Sequence, residues 1–358
     1  MKITAAITHE QGAEFKLEEL EIAEPQANEV LIRIVASGVC HTDVMGRDAA
    51  VTPYPAVLGH EGAGIVEKVG DSVSSVVPGD HVVLSFASCG HCKNCLSGKP
   101  AYCSDFGILN FGGNMLDGTT RLQQHGHRVS NFFGQSSFAT YAIANERSVV
   151  KVDKDVDLNL LGPLGCGIQT GSGAVFNSLK PSFGESIVIF GAGGVGLSAV
   201  MAAKVVGCSK VIAVDVVDSR LELAKELGAT HVLNSKKVDV VEEIRRITDG
   251  GTNYSLDTTG VPVVVSQAVE AIQVLGTAAF VIVAPDLSKS PTFTYGKRVI
   301  GIVEGDSVPQ LFIPQLIEYY KDGRFPFDKL VKFYEFSEIN QAFADSKSGI
   351  AVKPIIKM

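Results

Sequence analysis

The sequence predicts an α/β protein of two parts, a mostly-β domain followed by a doubly wound parallel sheet. Three observations predict this. From about residue 168, bare apolar runs alternate with amphipathic stretches, which is the order of strands and crossover helices in a parallel sheet. Residues 1 to about 150 are rich in Val, Gly and Pro, with short apolar alternations and little helical periodicity. The 358 residues are enough for two cores.

In chain order, EVLIRIVASGV, GAGIVEKVG, GDHVVLSF and SFATYAIA read as strands closed by turns. SIVIF then has the apolar character of a strand buried on both faces. GAGGVG follows, and VGLSAVMAAKVVG reads as a helix ending at Gly207. KVIAVD is the next strand. SRLELAKELGA is an amphipathic helix, with Ser219 as its expected N-cap and Gly228 just past its end. The alternation continues through HVLN, DVVEEIRRITDG, YSLDTTG, a further helix and AAFVIVA. Helices near 309–322 and 337–347 and a terminal strand AVKPIIK are expected to return to the first domain. The expected domains are therefore 1–168 with 303–358, and 169–302.

Bulk properties exclude several functions. The net charge of −8, with no block of Lys or Arg, argues against a nucleic-acid or anionic-membrane surface. The N-terminus has no apolar core of signal-peptide length. The most apolar long stretch, near Ile187 to Val206, is broken by GAGGVG and reads as strand plus helix rather than a membrane span. A cytoplasmic location is expected.

Gly191, Gly193 and Gly196 form G-x-G-x-x-G, with Gly194 and Val195 inside the turn. The pattern alone is weak, but here it follows a buried strand and opens a helix. Glycines there permit a tight turn and let the backbone approach a pyrophosphate at the positive helix end. Asp215 ends the next strand, where a carboxylate accepts from adenosine ribose hydroxyls and repels a 2′-phosphate, so NAD is favoured over NADP. Arg220 lies near the same end.

Cys89, Cys92, Cys95 and Cys103 crowd into fifteen residues, CGHCKNCLSGKPAYC. In a reducing compartment such a cluster points to metal rather than disulfides. Four thiolates suit a closed tetrahedral zinc site, which is structural. Cys40 in SGVCHTD, His60 in LGHEGAG and Cys166 in GPLGCGIQTG could together hold a second zinc with one open position. Their spacing alone is weak support, since lone cysteines usually pack as small hydrophobes. Cys208 reads as packing.

With these motifs in order, the chain resembles the zinc-dependent medium-chain alcohol dehydrogenases over nearly its whole length. GVCHTD, GHEGAGIVEKVG, the cysteine cluster, LGCGIQTG, GAGGVG and a late Asp carry the likeness. SFATYA, LLGPLGCGIQTG, SRLELAKELGATHV and FPFDKLVKFYEF resemble bacterial aryl-alcohol (benzyl alcohol) dehydrogenases in particular. The resemblance implies a GroES-like catalytic domain around a Rossmann domain, with the active site in the cleft between them, two zinc ions per chain, NAD, and a homodimer or homotetramer. KRVIGIVEG is the candidate strand for subunit contact. The resemblance also implies that Cys40, His60 and Cys166 hold the catalytic zinc, that Glu61 approaches the metal, and that Thr42 accepts the alcohol's proton. His41 and Lys353 are implied on the cofactor pyrophosphate.

One position departs from the family. Three residues beyond Thr42, where well-known members carry a relay histidine, stands Met45. Met45, Phe86 and Leu109 are candidate pocket residues, and an apolar wall would suit an aromatic or terpenoid alcohol. Readings kept beside this one are a geraniol- or perillyl-alcohol dehydrogenase, a glutathione-dependent formaldehyde dehydrogenase, and a non-catalytic NAD-binding zinc protein. Residues 104–118 contain no Arg or Lys to hold a glutathione carboxylate, which ranks that reading low.

Overall fold

The computed structural model of the chain describes residues 1–281 and 296–358. It divides into two units, Met1–Cys166 with Val308–Gln315 and Asp328–Met358, and Gly167–Ser307 with Leu316–Phe327.

The first unit is built on two largely antiparallel sheets, with one parallel pair, Val331–Glu335 beside Lys353–Lys357. Its central strand, Glu29–Gly38, pairs with Gly62–Val69, Tyr141–Asn145 and Lys353–Lys357. The chain's C-terminal strand thus closes the sheet that the N-terminal half begins. Val30, Ile32 and Ile34 alternate toward a core shared with Val66, Val82, Leu84 and Ala142, the period of two that the sequence displays. A second, five-stranded sheet contains Lys2–Thr8 and Lys16–Ile22.

The second unit holds a six-stranded parallel sheet. Its order is His231–Asn234, Lys210–Asp215, Ser186–Phe190, Thr252–Asp257, Ile272–Phe280, Arg298–Gly301. The first strand in sequence, Ser186–Phe190, is fully buried and central. The chain adds strands to one side of it, then returns to its other side. This reversal is the topological switch point at which doubly wound sheets bind ligands. The fold class is the expected one, a GroES-like mostly-β domain with a Rossmann-like parallel sheet.

Some local expectations shift. The helix expected to begin at Ser219 runs Asp218–Leu227 with Val217 as N-cap. A carboxylate at its first position suits the positive helix end, so Asp218 rather than Ser219 marks the start. The expected AAFVIVA strand is the end of Ile272–Phe280, and its residues 282–284 lie outside the described residues. Two helices gave no periodic signal. His41–Asp48 is short, and Gly167–Gly173, continued by a π-helical turn Ala174–Leu179, is glycine-rich and buried all round, so it has no polar face to alternate with.

Candidate metal and cofactor sites

GVCHTD is where the central strand of the first unit gives way to a helix. Cys40 is the N-cap of His41–Asp48, and its backbone N–H donates to Asp43 Oδ2 at 2.9 Å. The other oxygen, Asp43 Oδ1, accepts from Gly59 N at 3.1 Å and lies 2.8 Å from His60 Nδ1. One buried carboxylate therefore ties the turn carrying Cys40 to the loop carrying His60. It makes Nδ1 the protonated nitrogen and turns the Nε2 lone pair the other way. His60 Nε2 is fully buried and has no hydrogen-bond partner in the protein. A buried imidazole nitrogen left so is costly unless something outside the chain takes its lone pair.

The ligand atoms of Cys40, His60, Glu61 and Cys166 lie within 4.8 Å of one another. Burial opposes a thiolate at Cys40. Hydrogen bonding from Cys166, first, and the charge of Lys353 outweigh it and hold the thiol well below its ordinary range. Two sulfurs and an imidazole, with a carboxylate alongside, fit zinc. Glu61 is fully buried, and burial pushes its carboxyl up to about 7 against the opposing pull of Lys353. Gly38 makes room for it, since a Cβ there would collide with Glu61 Oε2 and Pro163.

Lys353 is buried on the C-terminal strand, and its Nζ donates to both Glu61 oxygens at 2.9 Å and to the Val39 carbonyl at 3.3 Å. A buried ammonium is held where its charge is compensated, and here Glu61 compensates it. Thr42 is half-buried, with Oγ1 4.0 Å from Cys40 Sγ. His41, at the first position of the helix, is exposed, and Met45 is half-buried on the same helix.

The four clustered cysteines also converge within 4.8 Å. Backbone N–H groups point at the sulfurs: Cys89 N to Cys103 Sγ at 3.2 Å, Cys92 N to Cys89 Sγ at 3.3 Å and Ser104 N to Cys92 Sγ at 3.5 Å. Such donors favour thiolates, and those of Cys95 and Ser104 draw Cys92 down to about 5. All seven cysteines are free of disulfides.

In the second unit Gly191 has φ 92°, and the helix Gly194–Val205 starts behind it with Gly193 as N-cap and no side chain capping its amides. A Cβ at Gly193 would meet no atom within 4 Å. Its absence therefore relieves nothing inside the chain, and the open space admits a group to the bare helix end. Asp215 Oδ2 accepts from Ala192 N at 2.7 Å, and Oδ1 accepts from Val216 N at 2.7 Å and Val217 N at 2.9 Å. These three bonds fix the carboxylate beside the turn. Arg220 Nε, on the next helix, is buried without a partner.

Residues 26–154 match the family described as alcohol dehydrogenase GroES-like domain, and residues 194–318 match zinc-binding dehydrogenase. The chain belongs to the zinc-binding alcohol dehydrogenases. It is 47 % identical to a geraniol dehydrogenase of Castellaniella defragrans, over 98 % of this chain and 96 % of that one. The crystal structure of benzyl alcohol dehydrogenase from Acinetobacter calcoaceticus superposes with a TM-score of 0.95 at 53 % identity, covering 100 % of this chain and 99 % of that one. An alcohol dehydrogenase zinc-binding domain protein from Burkholderia ambifaria gives 0.97 at 53 %, with the same coverage. The chain is thus a zinc-dependent alcohol dehydrogenase, an oxidoreductase of a family that uses zinc and NAD. No helix among the described residues is long and apolar enough to cross a membrane.

Around the metal cluster of this alcohol dehydrogenase the pocket candidates separate. Leu109 packs with Ala87, Cys89 and Cys103 in the core of the cysteine lobe. Phe86 is buried, with its ring centroid 5.8 Å from that of Phe106. Two aromatic rings beside His60 are ones the sequence did not single out: Phe133 lies 4.6 Å from the His60 ring and 6.4 Å from Phe106, and Phe132 lies 5.7 Å from the His60 ring. Asp43 was missed as well. Its one sequence signal is its place three residues after Cys40, the third position of a capped helix.

Proposed function

We propose that this dehydrogenase oxidises a primary aromatic alcohol of the benzyl alcohol type to its aldehyde, reversibly, with NAD+ as hydride acceptor. One observation carries the reading: the unpartnered His60 Nε2, converging with Cys40 and Cys166, at the head of the ring series Phe133, Phe106, Phe86. Aromatic rings favour a flat π substrate by offset or edge contact.

Cys40, His60 and Cys166 would hold the catalytic zinc, which supplies a Lewis acid at the alcohol oxygen and lowers its pKa, as it does for water from about 15.7 to about 7. Thr42 takes the hydroxyl proton at Oγ1. A bound NAD+ would supply the acceptor for the carbinol hydrogen and its electron pair. Met45 cannot relay a proton, so Thr42 would pass it on to water or to another base. The Gly191–Gly196 turn, with Gly193, Gly194 and Val195, would hold the pyrophosphate at the helix end. Asp215 and Arg220 face the adenosine ribose. Cys89, Cys92, Cys95 and Cys103 would hold a second, structural zinc.

We further propose a homodimer or homotetramer in the cytoplasm, joined along Arg298–Gly301, the outer strand of the parallel sheet among the described residues. An outer strand offers unpaired backbone groups to a second copy.

A panel of benzyl alcohol, geraniol, perillyl alcohol, ethanol and formaldehyde with glutathione, followed by NADH absorbance, tests the substrate. Highest kcat/KM on benzyl alcohol is expected. Highest kcat/KM on geraniol would transfer the reading to allylic terpene alcohols, which the geraniol dehydrogenase relative favours. Absence of turnover, with one zinc per chain, would leave a non-catalytic zinc protein.

A further inference from the structure

Gln135 is buried to 1 % exposure and lies 75 residues beyond His60, on a loop that bonds to the His60 segment nearly residue by residue. Ser136 Oγ donates to the Val57 carbonyl at 2.8 Å, Phe138 N to Leu58 O at 3.1 Å and Ser137 N to Gly59 O at 3.0 Å. Gln135 supplies the next contacts with its side chain. Its Nε2 donates to the His60 carbonyl at 3.0 Å and to the Ser85 carbonyl at 3.2 Å, while its Oε1 accepts from Gly62 N at 3.2 Å. Both amide hydrogens and the carbonyl are used, on the residue that bears the imidazole and on the residue after Glu61. Ser85 extends the link: its Oγ donates to the Gly165 carbonyl at 2.7 Å, directly before Cys166. The loop reaches this position through left-handed backbone at Phe133, Gly134 and Ser136, with φ of 51°, 59° and 55°. Two of these are not glycine, which is a conformation that must be held by its surroundings.

We propose that Gln135 is a positioning residue for the catalytic metal: its carboxamide clamps the backbone of His60 and, through Ser85, the turn of Cys166, so that the imidazole and the thiolate meet at one ion. The proposal rests on the reading of Cys40, His60 and Cys166 as a metal site. Asp43 fixes the far ring nitrogen of His60, and Gln135 fixes its main chain. Neither contact substitutes for the other, because a ring held only at Nδ1 still moves with its backbone. Groups of this kind, one contact removed from the ligands, change metal affinity or activity by roughly 10–100-fold.

The test compares wild type, Gln135→Leu and Ser136→Ala as purified holoenzymes. Total zinc is counted first, and release is then followed with the chromogenic chelator 4-(2-pyridylazo)resorcinol. The visible spectrum is recorded after cobalt substitution at the labile site. Wild type is expected to hold two ions, one leaving faster. Gln135→Leu is expected to speed the fast phase at least about tenfold and alter the cobalt spectrum, with the slow phase unchanged. Ser136→Ala, which loses two bonds of the same loop, to the Val57 carbonyl and from Phe132 N, but none to His60, is expected to release zinc as wild type does. An unchanged fast phase in Gln135→Leu, or equal acceleration in Ser136→Ala, overturns the role of Gln135. A wild type with a single ion overturns the metal reading itself. If Gln135→Leu does not fold, Gln135→Asn carries the test, since its amide is one methylene too short to bridge both carbonyls, and an unchanged fast phase there overturns the proposal equally.

Discussion

Asp43 Oδ1 lies 2.8 Å from His60 Nδ1, and neither side chain is exposed at all. The pair decides which ring nitrogen can bind a metal, since the proton on Nδ1 leaves Nε2 with its lone pair. Asp43→Asn keeps the shape but sets an NH2 group against one of the backbone donors, Cys40 N or Gly59 N, that the carboxylate now accepts from. The expected outcome is a loss of catalytic zinc affinity of roughly 10–100-fold, with the second ion retained. Zinc content after graded chelator dialysis checks it, and full retention of both ions would contradict the assignment.

Lys353 and Glu61 form a buried pair, and removing one partner strands the other. Lys353→Met is expected to destabilise the protein by about 3–5 kcal/mol and to raise the Glu61 carboxyl further from its already elevated value near 7. Lys353→Met combined with Glu61→Gln removes the stranded charge, and part of the loss should return. Urea unfolding midpoints of the two single variants and the double variant measure the coupling. Equal loss in Lys353→Met and the double variant would show that the lysine acts through packing alone.

The cysteine lobe is braced from outside by Arg147, which donates to the Cys89 carbonyl at 3.1 Å across Gly90. Gly90 has φ 76°, and a Cβ there would run into the Arg147 guanidinium. Gly90→Ala is therefore expected to cost about 1–3 kcal/mol. Cys103→Ser should go further and leave one zinc per chain. In both variants the ion at Cys40, His60 and Cys166 should persist, so turnover per folded molecule should survive while thermal tolerance falls. A Cys103→Ser protein that still binds two ions would remove the cluster from the list of metal sites.

Asp345 gives a pH signature away from the metal sites. Its carboxyl is held down at about 2, first by the Lys332 ammonium at 2.8 Å, then by Tyr334 OH at 2.5 Å and Gln341 Nε2 at 2.7 Å. An ordinary Asp titrates near about 3.9, so the unfolded chain takes the proton more readily than the folded one. The stabilisation is complete above about pH 5 and is lost as pH falls from about 4 to about 2. Asp345→Asn should lower the thermal midpoint at neutral pH and show a shallower decline through that acid window. Parallel declines in variant and wild type would contradict the linkage.

Much of this was legible in one dimension where function sits in consecutive residues. The four cysteines within fifteen residues and the glycine turn between a buried strand and a helix are local patterns, and the structure draws each together in place. Cys40, His60 and Cys166 are far apart in sequence, and spacing alone did not join them; resemblance did. What neither spacing nor resemblance showed were the supporting side chains. Gln135 touches His60 only because a left-handed loop folds back across 75 residues, and an isolated Gln has no pattern. The surroundings of Leu109 and Lys353 were hidden for a related reason: which way a side chain turns from its helix or strand is set by packing, here against Ala87 and the lobe cysteines and against Glu61.

Asp215 makes the last prediction, on cofactor choice. Three backbone amides hold its carboxylate rigidly beside the turn at Ala192, so it cannot swing away from an incoming charge. A 2′-phosphate would bring a charge of about −2 against a fixed carboxylate with no Lys or Arg assigned to it other than Arg220. The enzyme should therefore prefer NAD to NADP by at least about 100-fold in kcat/KM, which needs under about 3 kcal/mol of discrimination. Asp215→Ser removes the repulsion and leaves Arg220 free to meet the phosphate, so the preference should narrow at least about tenfold. Loss of the anchoring bonds should also lower the thermal midpoint, but KM for the alcohol should hold. An unchanged NAD preference in Asp215→Ser would mean that discrimination lies elsewhere than at this strand end.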